Sequence, residues 1–109
     1  MHLRDIPFGV TDWAKVPART QAGETGTATS RTCNFGTIRV RMVEYSPGYL
    51  ADHWCEKGHI ILCLEGEMRT ELADGTTHVL GAGSSYQVAD GASRHRSYTT
   101  SGARLFIVD

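Results

Sequence analysis

Apolar and polar residues along this chain change places mostly at intervals of two, the spacing of a strand with one covered face. Ile38-Arg39-Val40-Arg41-Met42 alternates strictly, which predicts a strand carrying Ile38, Val40 and Met42 on the buried face and both arginines on the other. An arginine pair can bind an anion, but the plainer reading of these two is a solvated sheet face. Continued without a break, the same parity sets Glu44 on the buried face, whereas Val43 and Tyr45 argue for a bulge before Ser46-Pro47-Gly48. Ile60-Ile61-Leu62-Cys63-Leu64 is continuously apolar, as in a strand buried on both faces. Met68, Thr70 and Leu72 then alternate against Arg69 and Glu71, and Ala73-Asp74-Gly75-Thr76 signals a hairpin returning through His78-Val79-Leu80.

Ser84 to Val88 and Leu105 to Val108 read as further strands, with a loop carrying Arg94-His95-Arg96 between them, and the threonine-rich stretch from Thr27 to Phe35 as an earlier one. Gln21 to Gly26 is polar and glycine-rich, a loop. Before it, Thr11 to Val16 suits one capped helical turn stopped by Pro17, with Phe8 and Trp13 packing as an apolar flap. No segment sustains a period of 3.6. Roughly eight or nine short strands with glycine-rich turns predict an all-β sandwich or barrel. The expected organisation is a single domain, an N-terminal arm over residues 1–26 and a barrel over 27–109.

At 109 residues the chain is long enough for one core, and a net charge of -1 provides no field for nucleic acid or an anionic membrane. The longest apolar run is five residues, too short to span a bilayer, and no signal-like segment opens the sequence, so a cytoplasmic location is expected. Cys33, Cys55 and Cys63 are an odd set and read as thiols or ligands rather than a disulfide framework.

Chemistry concentrates between Gly48 and Gly66. His53 and Cys55 share one face if the segment is extended, Glu56-Lys57-Gly58 makes a polar turn, and His59 begins the apolar run beside the first pair. Taken singly, each of these residues is more often a packed side chain than a ligand.

The chain from about Gly36 to Asp109 resembles a small single-domain cupin. The family's first motif, a glycine, His-x-His, a glutamate and a closing glycine, reads here as Gly48, His53, Cys55, His59 and Gly66. The second, a glycine, Pro-x-Gly, a histidine and an asparagine, reads as Gly83, Ala89 at the proline position, Gly91, His95 after one extra residue, and Thr99 at the asparagine position. The resemblance implies a double-stranded β-helix, the jelly-roll barrel, with a metal near one mouth held by His53, Cys55, His59 and His95. Two of the four ligand positions are substituted, each by another residue that binds metal.

Three imidazoles and a thiolate suit zinc first, with iron or nickel as the alternatives. The net positive charge left on such a site favours a small polar or carboxylate-bearing ligand. Four protein ligands close a tetrahedral site, whereas three leave a position for water or substrate. The sequence therefore supports a metal-dependent enzyme of oxygenase, isomerase or lyase type, a non-catalytic small-molecule-binding or structural zinc cupin, or a metal-free barrel acting through partners. Glu44, if it faces the lumen, is the acidic candidate for general base, and Tyr86 and Ser97 are expected neighbours of the metal. Parity puts Ile61 and Cys63 on the face of His59, where Cys63 reads as a small core residue; His78 reads as solvated and His2 as uninformative. An unpaired strand edge makes a homodimer the expected assembly.

Overall fold

The computed structural model describes residues 3–109, which leaves His2 outside the described residues. Eight strands follow a short 3-10 turn at Trp13–Lys15: β1 Ala18–Ala22, β2 Thr27–Phe35, β3 Ile38–Tyr45, β4 His59–Leu72, β5 Thr77–Gly81, β6 Ser85–Val88, β7 His95–Tyr98 and β8 Ala103–Val108. All pairings are antiparallel, in the order β1-β2-β3-β8-β4-β5, with β6 and β7 also on β4. The long β4 joins the two halves of this jelly roll. Its first residues pair with β6 and β8, and its last with β5 and β7.

The crossover occurs at a register shift between Cys63 and Glu65 followed by Gly66. Gly66 has φ +75°, and a Cβ there would lie 2.2 Å from the Gly102 carbonyl oxygen, so only glycine lets β4 pass β8 at this point. Between the halves, Val43, Tyr45, Ile61, Met68, Leu80, Leu105 and Ile107 form one buried cluster with Cys63, and the Tyr45 and Tyr49 rings stack at 4.3 Å.

Ile38 is buried as the alternation predicts, but from Arg41 onward the inward face of β3 is the reverse of the predicted one. Arg41, Val43 and Tyr45 turn toward the lumen, while Met42 and Glu44 turn outward, and the register with β2 and β8 runs through without a bulge. Two apolar sets of opposite parity compete in this strand, and burial of Val43 and Tyr45 in the core decides between them. The outer face is itself partly apolar, because Val40 and Met42 stand opposite Val108 and Phe106, which stand opposite Ile60 and Leu62. For the same reason β4 is covered on one face only: Ile61 and Cys63 are buried, but Ile60 is 47% exposed.

Near the N-terminus, the expected turn forms, with Asp12 accepting from the Ala14 amide at 3.2 Å and Arg31 donating to the Trp13, Ala14 and Val16 carbonyls. Phe8 does not join it and is 97% exposed. The sheet begins at Ala18, within the stretch expected to be arm, because β1 pairs through its backbone and every side chain in it is exposed, so no apolar period marks it. Among the described residues no helix is long and apolar enough to cross a membrane.

Candidate metal centre

His59 and His95 are the first residues of β4 and β7. Cys55 lies on no regular strand but on an isolated bridge to His95, with each backbone N–H donating to the other's carbonyl at 2.8 and 3.0 Å. This pair of hydrogen bonds fixes a loop residue against a strand residue. The Cys55 thiol and the His59 and His95 rings consequently offer ligand atoms that all lie within 4.8 Å of one another.

Hydrogen bonds select the ring nitrogens. His95 Nδ1 donates to the Ser93 carbonyl at 2.8 Å, which leaves Nε2 with a lone pair, and that atom faces His59 Nε2 at 2.9 Å. His59 Nδ1 is buried without a hydrogen-bond partner, 3.9 Å from the Asp109 carboxylate. A proton on His59 Nε2 would bond the two rings but leave the Nδ1 lone pair facing a carboxylate. A proton on Nδ1 faces Asp109 favourably and turns both Nε2 lone pairs and the thiol sulfur into one space, an arrangement that suits a cation. Two imidazoles and a thiol are also a zinc-type or late first-row donor set, so these residues fit a divalent metal.

The surroundings keep His59 neutral. Burial, then the neighbouring His95, lowers the His59 pKa to about 4, against a smaller opposing pull from Asp109. Asp109 has a fully buried side chain. Burial alone would raise its pKa, but the hydrogen bonds from Arg39, at 2.8 and 2.9 Å, and the charges of Arg41 and Arg39 outweigh it and hold the carboxyl below its ordinary range. Arg41 adds a third bond at 3.1 Å. Tyr86 places its hydroxyl 3.3 Å from His59 Nε2, and burial pushes its pKa up to about 12, so at neutral pH it stays a protonated donor.

A cavity of about 150 Å³ opens onto the trio, with Arg41, Tyr49, His53, Arg96 and Ser97 also on its walls. Two guanidinium donors here, Arg41 Nε and Arg96 Nε, are buried and unpartnered. Arg96 lies 5.0 Å from the Trp54 ring centroid and donates to Glu71 at 3.4 Å.

The fourth expected ligand stands apart. His53 is 70% exposed at the cavity rim, and its Nδ1 lies 2.7 Å from Asp52 Oδ1. Residues 52 and 53 form a bend, so strand parity does not carry from Cys55 to His53. Glu44 is exposed on the outer face, opposite Thr29 and Arg104, and its expected lumen position is overturned by the parity of β3. Cys63 is buried in the core, His78 is exposed, and all three cysteines are free. Asp109 was not singled out in the sequence, although Leu105, Ile107 and Asp109 continue one inward parity toward the β3 arginines.

No family model matches the chain, and no curated protein matches its sequence. Solved structures do resemble it. A sugar phosphate isomerase from a cupin superfamily, of Silicibacter pomeroyi, is 15% identical, with a TM-score of 0.73 over 92% of this chain and 74% of that one. A predicted oxalate decarboxylase from Thermotoga maritima is 13% identical, with a TM-score of 0.77 over 92% and 96%. A polyketide cyclase from Streptomyces resistomycificus is 23% identical, with a TM-score of 0.75 over 94% and 78%. The fold is that of the cupins, and likeness at these identities speaks for the fold alone.

Proposed function

We propose that this chain is a metal-dependent enzyme acting on a small polar or carboxylate-bearing metabolite, with Cys55, His59 and His95 holding a divalent ion, zinc first and iron or nickel as alternatives. The observation that carries the reading is the convergence of these three ligand atoms at a cavity that also holds two unpartnered arginine donors. A divalent ion held by three protein ligands lowers the pKa of a bound water to about 7 and polarises a substrate oxygen.

The chain's own groups supply the rest. Arg41 and Arg96 receive and orient an anionic group, and their buried N–H donors gain a partner when it arrives. Tyr86 keeps its hydroxyl proton at neutral pH beside His59 and serves as a donor to developing charge there. The Asp109 carboxylate, 3.9 Å from His59 Nδ1, favours a proton on that nitrogen. Isomerisation and lyase chemistry suit this set, since proton movement has Tyr86 at hand.

The non-catalytic reading rests on His53. With Nδ1 occupied by Asp52, its Nε2 is the ring nitrogen left to ligate, and a fourth protein ligand would close a tetrahedral structural site. Metal analysis of the purified protein, followed by visible spectroscopy of the cobalt(II) form with and without acetate, separates the two. A cobalt spectrum that shifts with acetate, in the wild type and in His53→Ala alike, supports the open site. Stoichiometric zinc in a four-protein-ligand sphere that no anion perturbs would sink the enzyme reading.

A further inference from the structure

Two apolar surfaces of this chain lie open, away from the metal centre. The first is the segment ahead of β1. It is held at both ends: the Arg4 carbonyl and the Ile6 side chain come against Gly36 in the β2–β3 turn, and the Trp13, Ala14 and Val16 carbonyls accept hydrogen bonds from Arg31. Between those anchors Phe8 is 97% and Val10 89% exposed, and Leu3, ahead of them, is 74% exposed. A segment tied at both ends and stiffened by Pro7 presents these side chains on a restricted backbone, which lowers the entropy lost when they are covered.

The second surface is the outer face of the sheet. Val40, Val108 and Ile60 stand in one row across β3, β8 and β4, and Met42, Phe106 and Leu62 stand in the next. Ile60 is 47% exposed and the other five are half-buried, so six apolar side chains share one patch that water still reaches. Arg31 and the Glu44–Arg104 pair border it on one side, Ser85 and Gln87 on the other. An apolar patch inside a polar border is the anatomy of a protein interface.

We propose that the chain forms a two-fold dimer in which the Leu3 to Val10 segment of each copy packs on the outer β3–β8–β4 face of the other. The occupant is a second copy because one chain carries both halves of the contact, and a two-fold axis makes that contact twice. From their fractional exposures, Leu3, Ile6, Phe8, Val10, Ile60 and Leu64 leave roughly 750 Å² open per copy, close to the ~800 Å² per partner of a standard stable interface. A net charge of -1 sets up little repulsion between copies. Pairing through the free edge of β1 would not cover this face, because β2 separates β1 from β3.

Sedimentation equilibrium of the full chain across the micromolar range tests this, with the wild type expected at twice the chain mass. Phe8→Ser combined with Val10→Ser removes side chains that are nearly free of contacts in the copy that carries them, so the fold is kept. It is expected to weaken association at least about a hundredfold, since each dimer loses four buried apolar side chains. Ile60→Glu, on the receiving face, is expected to do the same, with unchanged far-ultraviolet circular dichroism showing that both variants are folded. A wild type that stays monomeric throughout the range would overturn the dimer. A dimer that survives either substitution in a folded variant, as pairing through the β1 edge would, overturns the contact between segment and face. Should Ile60→Glu unfold, the Phe8 and Val10 variant decides alone.

Discussion

Asp109→Asn isolates what the buried carboxylate does, because it keeps the side-chain shape and removes the charge. The wild-type carboxylate is fully buried and receives three arginine hydrogen bonds, a fork from Arg39 and one from Arg41. Breaking a buried ion pair by removing one partner costs about 3–5 kcal/mol. Arg39 and Arg41 remain 39% and 23% exposed, so water recovers part of their solvation, and about 2 kcal/mol is the expected loss. In urea that is a midpoint lower by about 1 M at an unchanged slope, since the slope of a small domain is about 1–3 kcal/mol/M. Burial and the arginines together leave the carboxyl below its ordinary 3.8, so its contribution is present above that value and is lost as pH falls through the lower folded-state pKa. The gap between wild type and variant should therefore stay constant from pH 7 to 5 and close only below about 3.8. Metal affinity should fall about tenfold, because His59 Nδ1 loses the nearby charge that favours a proton there and a lone pair on Nε2. A midpoint within about 0.3 M of wild type at pH 7, together with unaltered zinc affinity, would refute both roles.

Three further outcomes follow from the same geometry. In metal-free protein, His59 has a folded-state pKa of about 4 against 6.5 when unfolded, so stability is intact above pH 6.5 and falls by up to about 3 kcal/mol on acidification to pH 4; denaturant midpoints that stay flat across that window would contradict it. His59→Ala, His95→Ala and Cys55→Ser should each lower zinc affinity by at least about a hundredfold in competition with a chelating dye, while His53→Ala changes it less than about tenfold; the reverse order would return His53 to the ligand set. Gly66→Ala should destabilise by more than about 2 kcal/mol because its Cβ meets the Gly102 carbonyl, whereas Gly75→Ala, also at positive φ but in open space, should cost about 1 kcal/mol; equal thermal shifts would refute the crossover argument.

Ligand type and motif spacing singled out four residues, His53, Cys55, His59 and His95, of which the structure brings the last three together, because a metal site needs particular donor atoms and the resemblance supplies their order along the chain. What they could not supply is where a side chain points once the backbone leaves regular structure. His53 and Cys55 differ by two residues, yet one is pinned by a backbone bridge to His95 and the other turns to Asp52 at the surface. β3 failed for a different reason. Its alternation is real, but both faces are partly apolar, so period two reports a strand without reporting which side is inside. β1 left no trace because an edge strand with exposed side chains is held by backbone bonds alone. The Asp109 cluster was hidden by distance in sequence, since Arg39 and Arg41 read as solvated until β8 brings a carboxylate alongside.

The two departures from the cupin ligand pattern compensate each other in charge. Cys55, a thiolate once it holds a metal, stands at a position where the resemblance expects a neutral imidazole, and a neutral imidazole, His59, stands where it expects a carboxylate. The exchange leaves the ligand set with one negative charge and replaces oxygen with sulfur, which shifts preference toward zinc and late first-row metals without altering the net charge an incoming anion meets. The arginines work in the same direction. Asp109 offsets one of the Arg39 and Arg41 charges and Glu71 offsets Arg96, so with a divalent ion held by the trio the cavity keeps a positive excess. The exchanged ligands and the unpartnered Arg41 and Arg96 donors therefore favour the same kind of occupant, an anion small enough for a 150 Å³ cavity.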